Sequence, residues 1–173
     1  MLEKELSGFK TLEMLVDSGA AANVLPEKFA EGYTVVRGEA ARKGVHYVAA
    51  DGGRIPNLGE CKIHVLTKEQ HKSSITFQVE DAQKPILSVS ALSALGHEVV
   101  FGKTGGVITH VKSRRKIHFQ KKGGVCKLEV LMAPGGWVPP KRSATADGAK
   151  GDTQKRSATA DGRSTGFPRQ GTR

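Results

Sequence analysis

Cysteine is nearly absent: Cys61 and Cys126 are the only two in 173 residues, and they form no Cys-x-x-Cys pair. Two are too few to staple a secreted fold or build a zinc knuckle, so both read as buried or idle thiols. No apolar stretch approaches the roughly 18 residues that a membrane span needs. The opening Met1-Leu2-Glu3-Lys4-Glu5-Leu6 mixes charges and lacks the apolar core of a secretory signal. An intracellular, cytoplasmic protein without a membrane anchor is the expectation. Several catalytic patterns are also missing. Ser18 does not sit in a Gly-x-Ser-x-Gly frame, which leaves it poorly placed as a nucleophile. Gly102-Lys103-Thr104 lacks a glycine at phosphate-loop spacing, and His97-Glu98 meets Phe101 where a zinc protease needs its second histidine. The six histidines show no ligand spacing, so neither metal nor cofactor is expected.

What the chain does have is Leu15-Val16-Asp17-Ser18-Gly19-Ala20, an acid, a hydroxyl and a glycine directly after an apolar segment. A carboxylate activates water only when held rigidly at the edge of a cleft, and a strand over Thr11 to Val16 would hold Asp17 there. Gly19 allows a sharp turn with no Cβ in the way. Ser18 can brace that turn through its hydroxyl. The same tripeptide also makes ordinary surface turns in which the aspartate caps its own loop. The apolar continuation Ala21-Ala22-Asn23-Val24-Leu25-Pro26 favours the catalytic reading. One acid polarises a carbonyl while a second takes a proton from water, and this chain has one such turn. A symmetric pair of chains would supply both.

The run Leu15 to Pro26 resembles the active-site segment of retropepsin-like aspartic proteases, the type encoded by retroviruses and retrotransposons. A second run, Pro85-Ile86-Leu87-Ser88-Val89-Ser90-Ala91-Leu92-Ser93-Ala94-Leu95-Gly96-His97-Glu98-Val99-Val100-Phe101, is similar to a segment of copia-type elements, and the likeness continues weakly through Gly106-Val107-Ile108 and Gly124-Val125-Cys126-Lys127-Leu128, so that it covers about residues 11 to 132. The resemblance implies a homodimeric aspartic endopeptidase whose substrate is the element's own polyprotein. Asp17 would be the catalytic carboxylate, Ser18 would bond across the dimer axis, and Gly19 and Ala20 would form the turn behind them. It also implies a mobile hairpin flap over the substrate. Ala50, Asp51, Gly52 and Gly53 fit its tip, Asp51-Gly52 being a strong hairpin signal. Ser88 departs from the glycine many members carry there, although copia-type sequences also have serine.

The coarse pattern is β-rich. Alternation in 62–65 and 74–79 gives two strands joined by the polar segment 68–72, and 89–95 has helical spacing ended by Gly96. Strands are expected at 97–101, 107–111, 117–120 and 125–132, the last three forming a β-meander. The expected architecture is an all-β, retropepsin-like domain with one short helix over 1–104, a meander extension over 105–132, and a disordered tail over 133–173. That tail repeats Lys-Arg-Ser-Ala-Thr-Ala-Asp-Gly at 141–148 and 155–162 and has too few apolar residues to offset the entropy of ordering.

Acid is scarce relative to base, 17 against 27 residues, for a net charge of +10. The tail holds eight basic and three acidic residues, a charge density that would attract nucleic acid or another acidic partner weakly and in a salt-dependent way. Trp137 and Phe167 are its only aromatics, so base stacking has little support. Two alternatives to a polyprotein-processing protease stay open: an inactive retroelement remnant binding nucleic acid through this tail, and a cellular protease whose tail recruits a partner.

Overall fold

The structure, a computed structural model, describes residues 6–48 and 52–139. By internal contacts the chain divides into units at Met1–Pro140 and Lys141–Arg173, the second lying outside the described residues. The first unit is mostly β-sheet. Its elements are β1 (Lys10–Asp17), β2 (Val24–Pro26), a 3-10 turn (Glu27–Phe29), β3 (Val35–Val36), α1 (Glu39–Arg42), β4 (His46–Val48), β5 (Arg54–Leu66) and β6 (Lys72–Glu80). They are followed by β7 (Ile86–Ser88), α2 (Val89–Ala94), β8 (His97–Phe101), β9 (Gly105–His110), β10 (Lys116–Lys122) and β11 (Val125–Met132).

Alternation explains the strands. In β1, Leu12, Met14 and Val16 point inward and are buried, while Thr11 and Glu13 face out. Antiparallel β11 sets Val130 opposite Leu12 and Leu128 opposite Met14, so two alternating strands bury one common face. Phe77 of β6 lies opposite Cys61 of β5, and both are fully buried. The pairings β5–β6, β6–β2, β2–β7, β7–β1, β1–β11 and β11–β5 close a ring of six strands around this core. Strands β10, β9 and β8 continue outward from β11 in that order. Gly105 shows why this meander needs glycine: its φ is +157°, and a Cβ there would run into the Phe119 carbonyl oxygen.

Two expected boundaries change. Residues 105–132 do not trail behind a self-contained domain ending at 104, because β11 pairs with β1 over six residues and closes the ring. Nor does the domain stop at Met132. Ala133 is buried and its amide donates to the His64 carbonyl, Tyr33 Oη donates to the Ala133 carbonyl, and the Trp137 ring packs edge-on against Phe9 and His64. Composition conceals this, since Pro134-Gly135-Gly136 reads as linker while the aromatic after it supplies the anchor. Among the described residues no helix is long and apolar enough to cross a membrane.

Candidate active site

Asp17 is the last residue of β1 and sits half-buried where the chain leaves the sheet. Its Oδ1 accepts the Gly19 amide hydrogen at 2.7 Å, which closes the turn. Asx turns on any surface make that bond. What distinguishes this turn is the frame behind it. Parallel β7 runs beside β1, pairing Leu15 with Ile86, Val16 with Leu87 and Asp17 with Ser88. The carboxylate therefore lies at the carboxyl ends of two adjacent parallel strands, both anchored in the core through Val16 and Leu87.

Ser88 locks the loop. It is fully buried, its hydroxyl donates to the Ala20 carbonyl at 2.6 Å, and the same oxygen accepts the Ala91 amide at 3.1 Å as the N-cap of α2. Its amide donates to Asn23 Oδ1 at 2.9 Å, while Asn23 Nδ2 donates to the Thr76 carbonyl at 3.1 Å. Two side chains thus tie the Asp17 turn to β7, α2 and β6 at once. In the sequence Ser88 reads as a departure from a family pattern and Asn23 as part of an apolar run. The one signal there is a lone amide among apolar neighbours. Ser88→Ala is expected to cost about 1–3 kcal/mol, the penalty for stranding a part-buried carbonyl and a helix amide, and a thermal melt measures it.

Ser18 and Gly19 are exposed and Ala20 is half-buried, so Ser18 stands on the rim of the turn. Either side of the segment expected to be a flap, β4 pairs with the start of β5, His46 to Pro56 and Val48 to Arg54. Gly52 is in a left-handed conformation at φ +83°. Ala50 and Asp51 lie outside the described residues. The hairpin and the Asp17 turn are linked through β6, which takes β2 on one edge and β5 on the other. At the end of that strand, Glu80 pairs with both Pro26 and Asn57.

Nothing in the sequence singles out Glu80. It is 2% exposed, its Oε1 has no hydrogen-bond partner among the described residues, and burial pushes its carboxyl up to about 7. An acid whose proton is held more tightly in the folded chain stabilises it most below the ordinary value of 4.5, and that contribution is lost as pH rises through 7. Stability is thus expected to fall by up to about 3 kcal/mol between mildly acidic and mildly alkaline solution. Glu80→Gln should flatten the profile, as denaturant titrations at about pH 5 and about pH 8 would register.

A cavity of about 560 Å³ lies beyond the Asp17 loop, lined by Ala22 and Asn23, by Leu92 and Leu95 around α2, and by apolar side chains of the sheet such as Ile108 and Val130. Asp17 is not among its lining residues. Compared with known proteins, the chain matches no family model and no curated protein.

Proposed function

We propose that this protein is an aspartic endopeptidase of the retropepsin-like kind, active as a homodimer. The observation that carries the reading is the placement of Asp17 at the end of β1 beside parallel β7, on a turn bound to the core through Ser88 and Asn23. That placement gives a carboxylate the rigidity general acid and base chemistry demands, and a surface Asx turn has no use for it.

A further edge open to a second copy is β8. Among the described strands its one neighbour is β9, and its side chains Val100 and Phe101 are exposed at 59% and 45%. A free apolar edge is a ready template for strand pairing with a second copy. β8 stands four strands from β1, in the order β1–β11–β10–β9–β8, so pairing at that edge is distinct from the contact that brings the Asp17 turns together. In the proposed dimer two Asp17 carboxyls share one proton, because adjacent like charges do not both ionise, as is established for aspartic-protease dyads in general. The ionised partner takes a proton from water as the water attacks the scissile carbonyl, and the protonated one donates to the carbonyl oxygen. An extended peptide would lie between the Asp17 turns and the β4–β5 hairpins, held by backbone hydrogen bonds, with side-chain pockets giving selectivity. The proposed substrate is a polyprotein containing this chain.

Incubating the protein with a peptide library at mildly acidic pH tests the reading. Pepstatin-sensitive cleavage whose specific rate rises with protein concentration is the expected result. Absence of cleavage at every concentration would overturn it.

A further inference from the structure

The protease reading leaves the β8–β9–β10 meander without a role beyond the β8 edge, yet its charge is extreme. No acidic residue occurs between Glu98 and Glu129. Seven exposed basic residues occupy that interval in two groups. Lys112, Arg114 and Arg115 sit on the β9–β10 turn, and Lys116 opens β10 beside them. That turn is ordered by its own bonds: the His110 amide donates to the Arg115 carbonyl at 2.9 Å, the Arg114 amide to the His110 carbonyl at 2.8 Å, and the Ser113 amide to His110 Nδ1 at 3.2 Å.

The second group stands at the opposite end of the ribbon. The Lys121 amide donates to the Thr104 carbonyl at 2.8 Å, which sets the turn carrying Lys103 beside Lys121 and Lys122. The six residues of β9 separate the two groups by roughly 20 Å at about 3.3 Å per residue.

None of the seven forms an ion pair among the described residues. Of the acids beside the meander, Glu13 is bound by Lys127 at 2.6 Å, Glu69 by His118 at 3.2 Å and Glu129 by Lys68 at 3.0 Å, while Glu98 of β8 lies opposite Thr109, whose other neighbour is Lys116, so one carboxylate stands beside the first group. Lys122 shares a recess with Glu13, Glu69 and Glu129 and, after Lys127, helps hold the Glu13 carboxyl below its usual range, so its charge is partly offset, while the excess of the other six remains. A small anion would need converging donors in a recess, and these residues stand in two separate exposed groups at opposite ends of the ribbon. A flat anionic surface would be met by one tip. Two cationic tips at opposite ends of a stiff ribbon match a linear polyanion lying along it.

We propose that the meander binds nucleic acid through its phosphodiester backbone, without reading bases. Contacts of this kind position a chain on its partner and carry no sequence information. The surface is separate in sequence from the repeated basic tail, so the two are distinguishable by substitution.

The test measures binding of the full chain to a fluorescent single-stranded RNA and a DNA duplex, each long enough to span both tips, across a salt series. The triple variant K112Q/R115Q/K116Q removes three cations and spares Arg114, whose φ of 58° is demanding. It is expected to bind at least about tenfold more weakly at low salt, with the slope of log affinity against log salt reduced by roughly two to three. Peptide cleavage and thermal melting should match the parent. A tail variant, K141Q/R142Q/K155Q/R156Q, should lose less affinity than the meander variant. Parental affinity and slope in the meander variant, with all loss confined to the tail variant, would overturn the proposal. So would binding to phosphatidylserine vesicles without binding to either nucleic acid.

Discussion

Asp17→Asn is expected to lower peptide cleavage by at least about a thousandfold while leaving the folded domain and its dimer intact. The amide oxygen of asparagine can still accept the Gly19 amide hydrogen that Asp17 Oδ1 accepts at 2.7 Å, so the turn keeps its closure. What the variant loses is the ability to take a proton from water or to give one to the scissile carbonyl. In a homodimer both catalytic groups vanish with one substitution. Mixing parent chain with excess variant should also depress activity beyond simple dilution, because each mixed dimer holds a single carboxyl. Cleavage assays and sedimentation on the same samples check both statements. Retained cleavage in the variant would remove Asp17 from the mechanism, and loss of fold would reassign its carboxylate to turn stabilisation alone.

A chain ended at Thr104 is expected not to fold. The resemblance implies that residues up to 104 form a complete protease domain, but β1 takes its antiparallel partner from Lys127–Met132, and β11 also reaches β5 to close the ring. Truncation would strip Ile108, Phe119, Leu128, Val130 and Met132 from the core and uncover Leu12 and Met14, all of them at most 4% exposed. At about 1.5–3 kcal/mol for each buried apolar side chain, the loss is on the order of 10 kcal/mol, comparable with the whole stability of a domain this size. Circular dichroism of the truncated chain, set beside one ended after Val138, decides the matter. The longer chain keeps the contacts of Ala133 and Trp137 and is expected to melt cooperatively. Cooperative melting of the shorter chain would show that the first 104 residues suffice.

Much of the local structure is legible in the sequence because it rests on local patterns. Apolar side chains at every second position mark β1, β5, β6 and β11, and Gly96 ends α2 at φ +79°, as its position after the helical spacing suggests. The short pieces escape. Three-residue β2 and two-residue β3 are too brief to show a period, and they are strands because β6 and β5 lie beside them. The site is legible as an acid on a turn. Its rigidity is not, because Ser88 stands 68 residues from the carbonyl it holds.

Sequence by itself determined the period of the strands, the acid-hydroxyl-glycine turn after the first of them, and the excess of base over acid in both the meander and the tail. Each of these depends on neighbours a few positions apart. Tertiary structure alone decided that β11 lies between β1 and β10, that Ser88 and Asn23 bind the Asp17 turn from behind, and that Glu80 is enclosed with one carboxyl oxygen unpartnered among the described residues. Those outcomes follow from how distant strands choose their register, a choice set by which apolar faces fill one core together and invisible to any window of sequence.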